Sequence, residues 1–238
     1  MTSPSNNTKW VWPLALAAVF AVCYWSVISN GTSESAYKAK LFEKFETATF
    51  EEVLNDTALH GFAIAEGKAA FKENCATCHG TDGKGAEGYP KLNDGDWIWG
   101  GAPEDIYKTL KLGIRDQHAS PRNTLMPPFE DALESDEIGK IADYVLALPK
   151  SVDVMHPGYT LFQTNCAACH GSDGAGNRDL GTPHLADGIW LKGTGDRASI
   201  VNQIKNPQHD MMPAWQDILD EETLRQLTLY VHSLGGGE

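Results

Sequence analysis

The chain has 238 residues, 42% of them hydrophobic, which suffices for one large packed domain or two small ones. Its 32 acidic residues outweigh 19 basic ones, giving a net charge of −13. That balance argues against nucleic-acid binding, which needs a basic face. It suits both a soluble surface and docking of a basic partner, and composition does not choose between them.

The first predicted element is apolar. Trp10 to Ile28 is 19 residues without a charge. At about 1.5 Å per residue it nearly crosses a hydrocarbon layer of about 30 Å. Trp10 and Trp12 stand at one end, Tyr24 and Trp25 near the other, as interfacial aromatics do. Lys9 and the amino terminus favour a cytoplasmic start, a bias that Lys38 and Lys40 weaken. The competing readings are a cleaved signal peptide, against which the bulky Tyr24-Trp25-Ser26-Val27-Ile28 end speaks, and a lipoprotein attached through Cys23, against which Val22 speaks. Otherwise Cys23 is a packing residue of the apolar run. In every case the remainder of the chain is exported. We expect a membrane anchor over 1–29 and a stalk over 30–61, in which Leu41-Phe42-Glu43-Lys44-Phe45 hints at an amphipathic helix.

Two five-residue motifs follow, Cys75-Ala76-Thr77-Cys78-His79 and Cys166-Ala167-Ala168-Cys169-His170. Two thiols three residues apart can clip both edges of a haem through its vinyl groups, and the next histidine then lies beneath the iron. The alternatives are a redox disulfide or a four-thiolate zinc site. Neither explains the histidine in both copies, and the 91-residue step from Cys75 to Cys166 suits two modules better than one zinc knuckle. Haem attachment outside the cytoplasm agrees with export.

The motifs lie in an internal repeat. Gly67 and Phe71 precede the first, Gly158 and Phe162 the second, at equal spacing. Each motif is followed by a glycine-rich turn, Gly80 to Gly85 and Gly171 to Gly176, then Pro90-Lys91-Leu92 or Pro183-His184-Leu185, then Trp97 or Trp190. A helical stretch, a Met-Pro pair and a last helix complete each half. In the first last helix, Ile138, Ile141, Ala142, Val145 and Leu146 form one stripe, with Ser135 as the expected N-cap and Pro149 ending it. In the second, Leu224, Leu227, Val231 and Leu234 do so before Gly235 to Gly237. The expected architecture is all-α: an N-terminal transmembrane helix followed by two tandem class I cytochrome c-like domains, 62–149 and 157–238, joined by a linker over 150–156.

Each iron needs a sixth ligand. Met126 in Met126-Pro127 and Met212 in Met212-Pro213 occupy equivalent places in the two halves. Met211 rivals Met212, and His118 and His209 would give bis-histidine sites instead. Met155 is filler, and His60, His156, His184 and His232 show no partner pattern. Trp97, Trp99, Trp190 and Trp215 are expected to pack on haem edges. Arg115 is the candidate for a propionate contact, with only Lys205 in the second half.

The run Tyr89-Pro90-Lys91-Leu92-Asn93-Asp94-Gly95-Asp96-Trp97-Ile98-Trp99-Gly100-Gly101, together with Asn-Cys-Ala-x-Cys-His-Gly-x-Asp-Gly twice, Asp187-Gly188-Ile189-Trp190-Leu191 and Met212-Pro213-Ala214, resembles the dihaem subunit of cbb3-type cytochrome c oxidases. The resemblance covers about Phe62 to Leu234, plus the anchor in outline. It implies two covalently bound haem c, held by Cys75, Cys78, Cys166 and Cys169, with axial pairs His79 with Met126 and His170 with Met212. It implies electrons accepted from a soluble or membrane cytochrome c and passed to a monohaem subunit and the catalytic haem–copper subunit. The place implied is the bacterial inner membrane, with the haem domains in the periplasm, in complexes that work at low oxygen and can pump protons. The insert Gln117 to Thr124 and the doubled Met211-Met212 depart from the family pattern. Readings from other classes are a free-standing membrane-anchored shuttle, a dihaem peroxidase with one open iron, and an exported gas sensor. The Met-Pro pair in both halves argues against the peroxidase, and the lack of a signalling domain against the sensor.

Overall fold

The computed structural model describes residues 33–116 and 122–235. The expected anchor, Cys23, His118 and most of the Gln117 to Thr124 insert lie outside the described residues. Among those described, no helix is long and apolar enough to cross a membrane. The chain forms two compact units, one ending at Phe62 and one beginning at Ala63.

In the first unit, α1 runs over 33–47, and α2 is Phe50–Asn55. A helix therefore stands where the Leu41–Phe45 pattern hinted at one, with Phe45 buried and Phe42 exposed. A reciprocal capping box starts α2: Glu52 N–H donates to Thr49 Oγ1 at 3.2 Å, and Thr49 N–H to Glu52 Oε2 at 2.7 Å. Asp56 then accepts from the N–H groups of Ala58 and Leu59 at the start of α3, Thr57–Asn74. Phe45, Val53 and Leu59 are fully buried here, and Phe62 meets the Phe45 ring edge-on at 6.0 Å.

The second unit holds the rest of α3 and seven further helices: α4 Ala76–His79, α5 Pro103–Leu112, α6 Ser135–Ala147, α7 Tyr159–Asn165, α8 Ala167–His170, α9 Arg197–Lys205 and α10 Glu221–Ser233. No strand occurs among the described residues; the extended pieces make isolated bridges only. Pro103 and two carboxylates open α5, which suits an N-terminus with unsatisfied N–H groups. Asp196 and Asp220 cap α9 and α10. The cap of α6 is Glu134, not Ser135: its carboxylate and that of Glu137 form a reciprocal box, and Ser135 is the first helical residue. Leu146 is exposed rather than part of the buried stripe.

Two cores organise this unit, and each takes helices from both halves of the repeat. One joins Phe71 and Cys75 with Ile106 and Leu110 of α5 and with Leu224, Leu227, Tyr230 and Val231 of α10. The other joins Phe162 of α7 and Ile200 and Ile204 of α9 with Ile138, Ile141, Tyr144 and Val145 of α6. The last helix of each half thus closes the core of the other. The tandem domains expected over 62–149 and 157–238 are contiguous in sequence, but their packing is exchanged.

The repeated glycines explain how the exchanged helices fit. A Cβ at Gly67 would overlap the Gln226 carbonyl oxygen of α10 and stand 2.8 Å from Tyr230 Cβ. A Cβ at Gly158 would overlap the Lys140 carbonyl of α6 and stand 2.8 Å from Tyr144 Cβ. The phenylalanine four residues on then meets the same tyrosine, Phe71 with Tyr230 at 5.3 Å and Phe162 with Tyr144 at 5.2 Å. Glycine and phenylalanine at i and i+4 share a helix face, one giving close approach and the other filling the crossing.

Candidate haem sites

Each Cys-x-x-Cys-His motif starts at the end of a helix and turns into a one-turn helix, α4 or α8. The histidine carbonyl accepts from Gly85 N–H in the first site and from Gly176 N–H in the second, both at 2.8 Å. The glycine-rich turn folds back beneath the motif, closed by Leu92 N–H on Gly83 O and Leu185 N–H on Gly174 O, each at 2.7 Å. Gly85 (φ +69) and Gly176 (φ +78) have conformations that side chains rarely adopt.

This turn aims the histidine. His79 Nδ1 donates to the Pro90 carbonyl at 3.1 Å, and His170 Nδ1 to the Pro183 carbonyl at 3.2 Å. Proline lacks an N–H, so no backbone donor at that residue disturbs the arrangement. With Nδ1 fixed as donor, Nε2 is the free lone pair, the tautomer a metal-binding imidazole requires. Burial pushes both histidines below their ordinary pKa, against the pull of the proline carbonyls, which favours the neutral ligand form. Burial, with a lesser push from the second cysteine, raises the Cys75 and Cys166 thiols to about 11. None of the four described cysteines is paired in a disulfide. Among the described residues, no group of three or more His, Cys, Asp or Glu side chains is gathered as a metal site, so the two pairs are not drawn into one zinc knuckle.

The methionines are where the sequence-order pairing changes. Met212 packs against the core that contains Cys75, and Met126 against the core flanked by Cys166. The pairs that the fold presents are therefore His79 with Met212 and His170 with Met126, crossed relative to those the family resemblance implied. The physical reason is the route of the chain. At Gly113 (φ +67) the end of α5 lies directly against the Met212-Pro213-Ala214 backbone. Ile114 and Met212 exchange both backbone hydrogen bonds at 2.9 Å. The chain then leaves for the second core, where Phe129 N–H meets the Ile204 carbonyl at 3.1 Å.

The rivals for the sixth position are placed as well. Met211 is exposed, and so is Met155. His209 Nε2 donates to the Met126 carbonyl at 3.1 Å. Arg115 uses its side chain on backbone: Nε donates to Asp210 O at 2.7 Å and Nη1 to Thr124 O at 3.3 Å. Lys205 stands 3.9 Å from Glu130. Trp97 and Trp215 pack on the first core and Trp190 on the second. Trp99 does not: it lies under the Arg122 guanidinium, 4.6 Å away, and against Gly181. Sequence reasoning passed over Arg122, which is 4% exposed, because a single arginine in an insert carries no pattern. It also passed over Thr182, whose hydroxyl donates to the Cys169 carbonyl at 2.6 Å. The first half has Tyr89 at that place.

The residues fit haem c. Each motif brings two thiols and an imidazole with its tautomer set, beside a core that offers a thioether and an apolar wall. In the first core the buried Trp215 Nε1–H has no hydrogen-bond partner, a donor that an acidic substituent of a bound macrocycle would satisfy.

Two family models match: residues 64–149 match the one described as Cytochrome c, and residues 153–231 the one described as Cytochrome C oxidase, cbb3-type, subunit III. The fold and sites thus define a protein with two cytochrome c domains, which imply covalently bound haem c. A Cbb3-type cytochrome c oxidase subunit FixP from Rhizobium meliloti (strain 1021) is 41% identical over 95% of this chain and 81% of its own length. A subunit FixPc from Rhizobium leguminosarum bv. viciae is 44% identical over 87% of this chain and 74% of its own length. A subunit CcoP from Azospirillum brasilense is 40% identical over 95% and 82%. The chain belongs to the FixP/CcoP family of cbb3-type cytochrome c oxidase subunits, and is a cytochrome c electron-transfer subunit.

Proposed function

We propose that this protein carries two haem c and relays electrons from a cytochrome c donor through both to the monohaem and catalytic subunits of a cbb3-type oxidase. Its N-terminal segment anchors it in the bacterial inner membrane, with the haem domains in the periplasm. The observation that supports this reading is a haem-motif cysteine and a methionine at the same core, twice. When bound, haem c supplies a one-electron iron couple, and methionine ligation raises its potential relative to bis-histidine.

The chain's own residues do the rest. Cys75 and Cys78, and Cys166 and Cys169, hold the macrocycle edges. Pro90 and Pro183 orient His79 and His170. Met212 and Met126 would supply the second ligand of each iron, which would leave no open site for oxygen or peroxide, and these residues thus support outer-sphere electron exchange. The two halves exchange α6 and α10, each closing the other's core, which keeps the sites in one folded unit.

The test is gentle detergent extraction through a C-terminal tag, followed by haem staining and oxygen uptake with a reduced cytochrome donor. Co-isolation of a second c-type band and a large b-type haem protein, with uptake, is expected. Two reducible haems isolated alone, without uptake, would favour a free-standing shuttle.

A further inference from the structure

The geometry points to Arg115 as a positioning residue for both axial methionines at once: its guanidinium ties together the loops that carry them. The inference rests on the axial-methionine reading above and extends it to a residue that touches neither iron position.

Arg115 Nε donates to the carbonyl of Asp210, two residues before Met212. Its Nη1 donates to the carbonyl of Thr124, two residues before Met126. Its own N–H donates to Arg122 O at 2.9 Å, and the preceding Ile114 pairs with Met212 through both backbone bonds. One residue thus reaches both methionine loops through backbone atoms. The planar guanidinium, with donors fixed in divergent directions, can serve two carbonyls in separate segments; a lysine ammonium lacks that fork.

Arg115 alone among the described non-glycine residues has a positive φ, +53. That region is unfavourable for a side chain, and such a conformation persists only where its surroundings hold it. Here what holds it is the pair of carbonyl contacts and the Ile114–Met212 bridge. The side chain is half-buried, so its bonds are protected from water. Neither methionine lies in a helix or a strand. The His209 contact to Met126 O is another strut, from the opposite loop. Thioether ligation is weak enough that groups fixing the ligand's backbone tune it.

The test uses R115G and R115N, because glycine and asparagine accept the positive φ and remove the guanidinium without straining the backbone. Each is placed in full-length protein carrying either M126A or M212A, so that one methionine-ligated haem remains to be watched. The readouts are the methionine-to-iron charge-transfer band of the ferric protein on heating and the rate of carbon monoxide binding to the ferrous protein, with helicity and haem content as controls. In both backgrounds, loss of Arg115 is expected to speed carbon monoxide binding by about ten-fold, the scale of one charge-assisted hydrogen bond, and to lower the temperature at which the band fades. A band absent from M126A and M212A with Arg115 intact overturns the axial-methionine reading and the clamp with it. A normal band there, unmoved by R115G and R115N in either background, overturns the clamp alone. An effect confined to one background overturns the shared role.

Discussion

Gly67 and Gly158 each stand eight residues before a haem cysteine, and each lets a helix backbone touch another. The spacing was legible in the sequence; the partner was not, since nothing at a glycine says which carbonyl will lie against it. Gly67→Ala is expected to destabilise the core around Cys75, and Gly158→Ala the core around Cys166. The scale is overpacking, about 1–3 kcal/mol each, read from thermal unfolding. An unchanged melting temperature for either would remove the close-approach argument. At α10, Asp220 accepts from Thr223 N–H at 2.8 Å. Hydrogen bonds from Thr223 hold the Asp220 carboxyl below its ordinary pKa. A carboxyl depressed in the folded state stabilises above its unfolded pKa, about 3.9, and that stabilisation is lost as pH falls through the depressed value. Asp220→Ala should cost about 1 kcal/mol at neutral pH. The penalty should shrink in acid below pH ~4, and denaturant melts at two pH values would show whether it does.

At the scale of elements, the last helix of each half was legible because its apolar stripe and its stop are written in the sequence. Ile138, Ile141, Ala142 and Val145 fall on one face, and the structure buries that face. Which core the face enters was not legible. Two repeats in tandem leave the same hydrophobic pattern whether each last helix returns to its own half or crosses to the other. The methionine pairing was not legible for the same reason: equivalent positions identified Met126 and Met212, and the path beyond Gly113 sets each against the core of the other half. Leu227→Ala is therefore expected to cost about 2–5 kcal/mol and to loosen the His79 site, although Leu227 lies in the second half. Ile141→Ala should loosen the His170 site instead. Site-resolved loss of the methionine-to-iron band on heating would report which haem fails first.

For the whole molecule, exchange makes the two sites one cooperative unit. Residues 63–149 lack α10 to close the core around Cys75, and 150–235 lack α6 to close the core around Cys166. Neither fragment is expected to give a stable cytochrome when produced alone, while the two produced together should reconstitute both sites. Two independently folded, haem-loaded fragments would contradict the exchange. The net charge of −13 acts at this scale too. Electron transfer from a basic donor cytochrome should slow as ionic strength rises, because steering between opposite charges is screened over about 10 Å at 0.1 M salt. The relay's central claim is the crossed ligation, His79 with Met212 and His170 with Met126. It is tested most directly in full-length protein carrying C166A and C169A, where only the haem at His79 remains. There, Met212→Ala should abolish the ferric methionine-to-iron band and Met126→Ala should leave it; the reverse result would contradict the account.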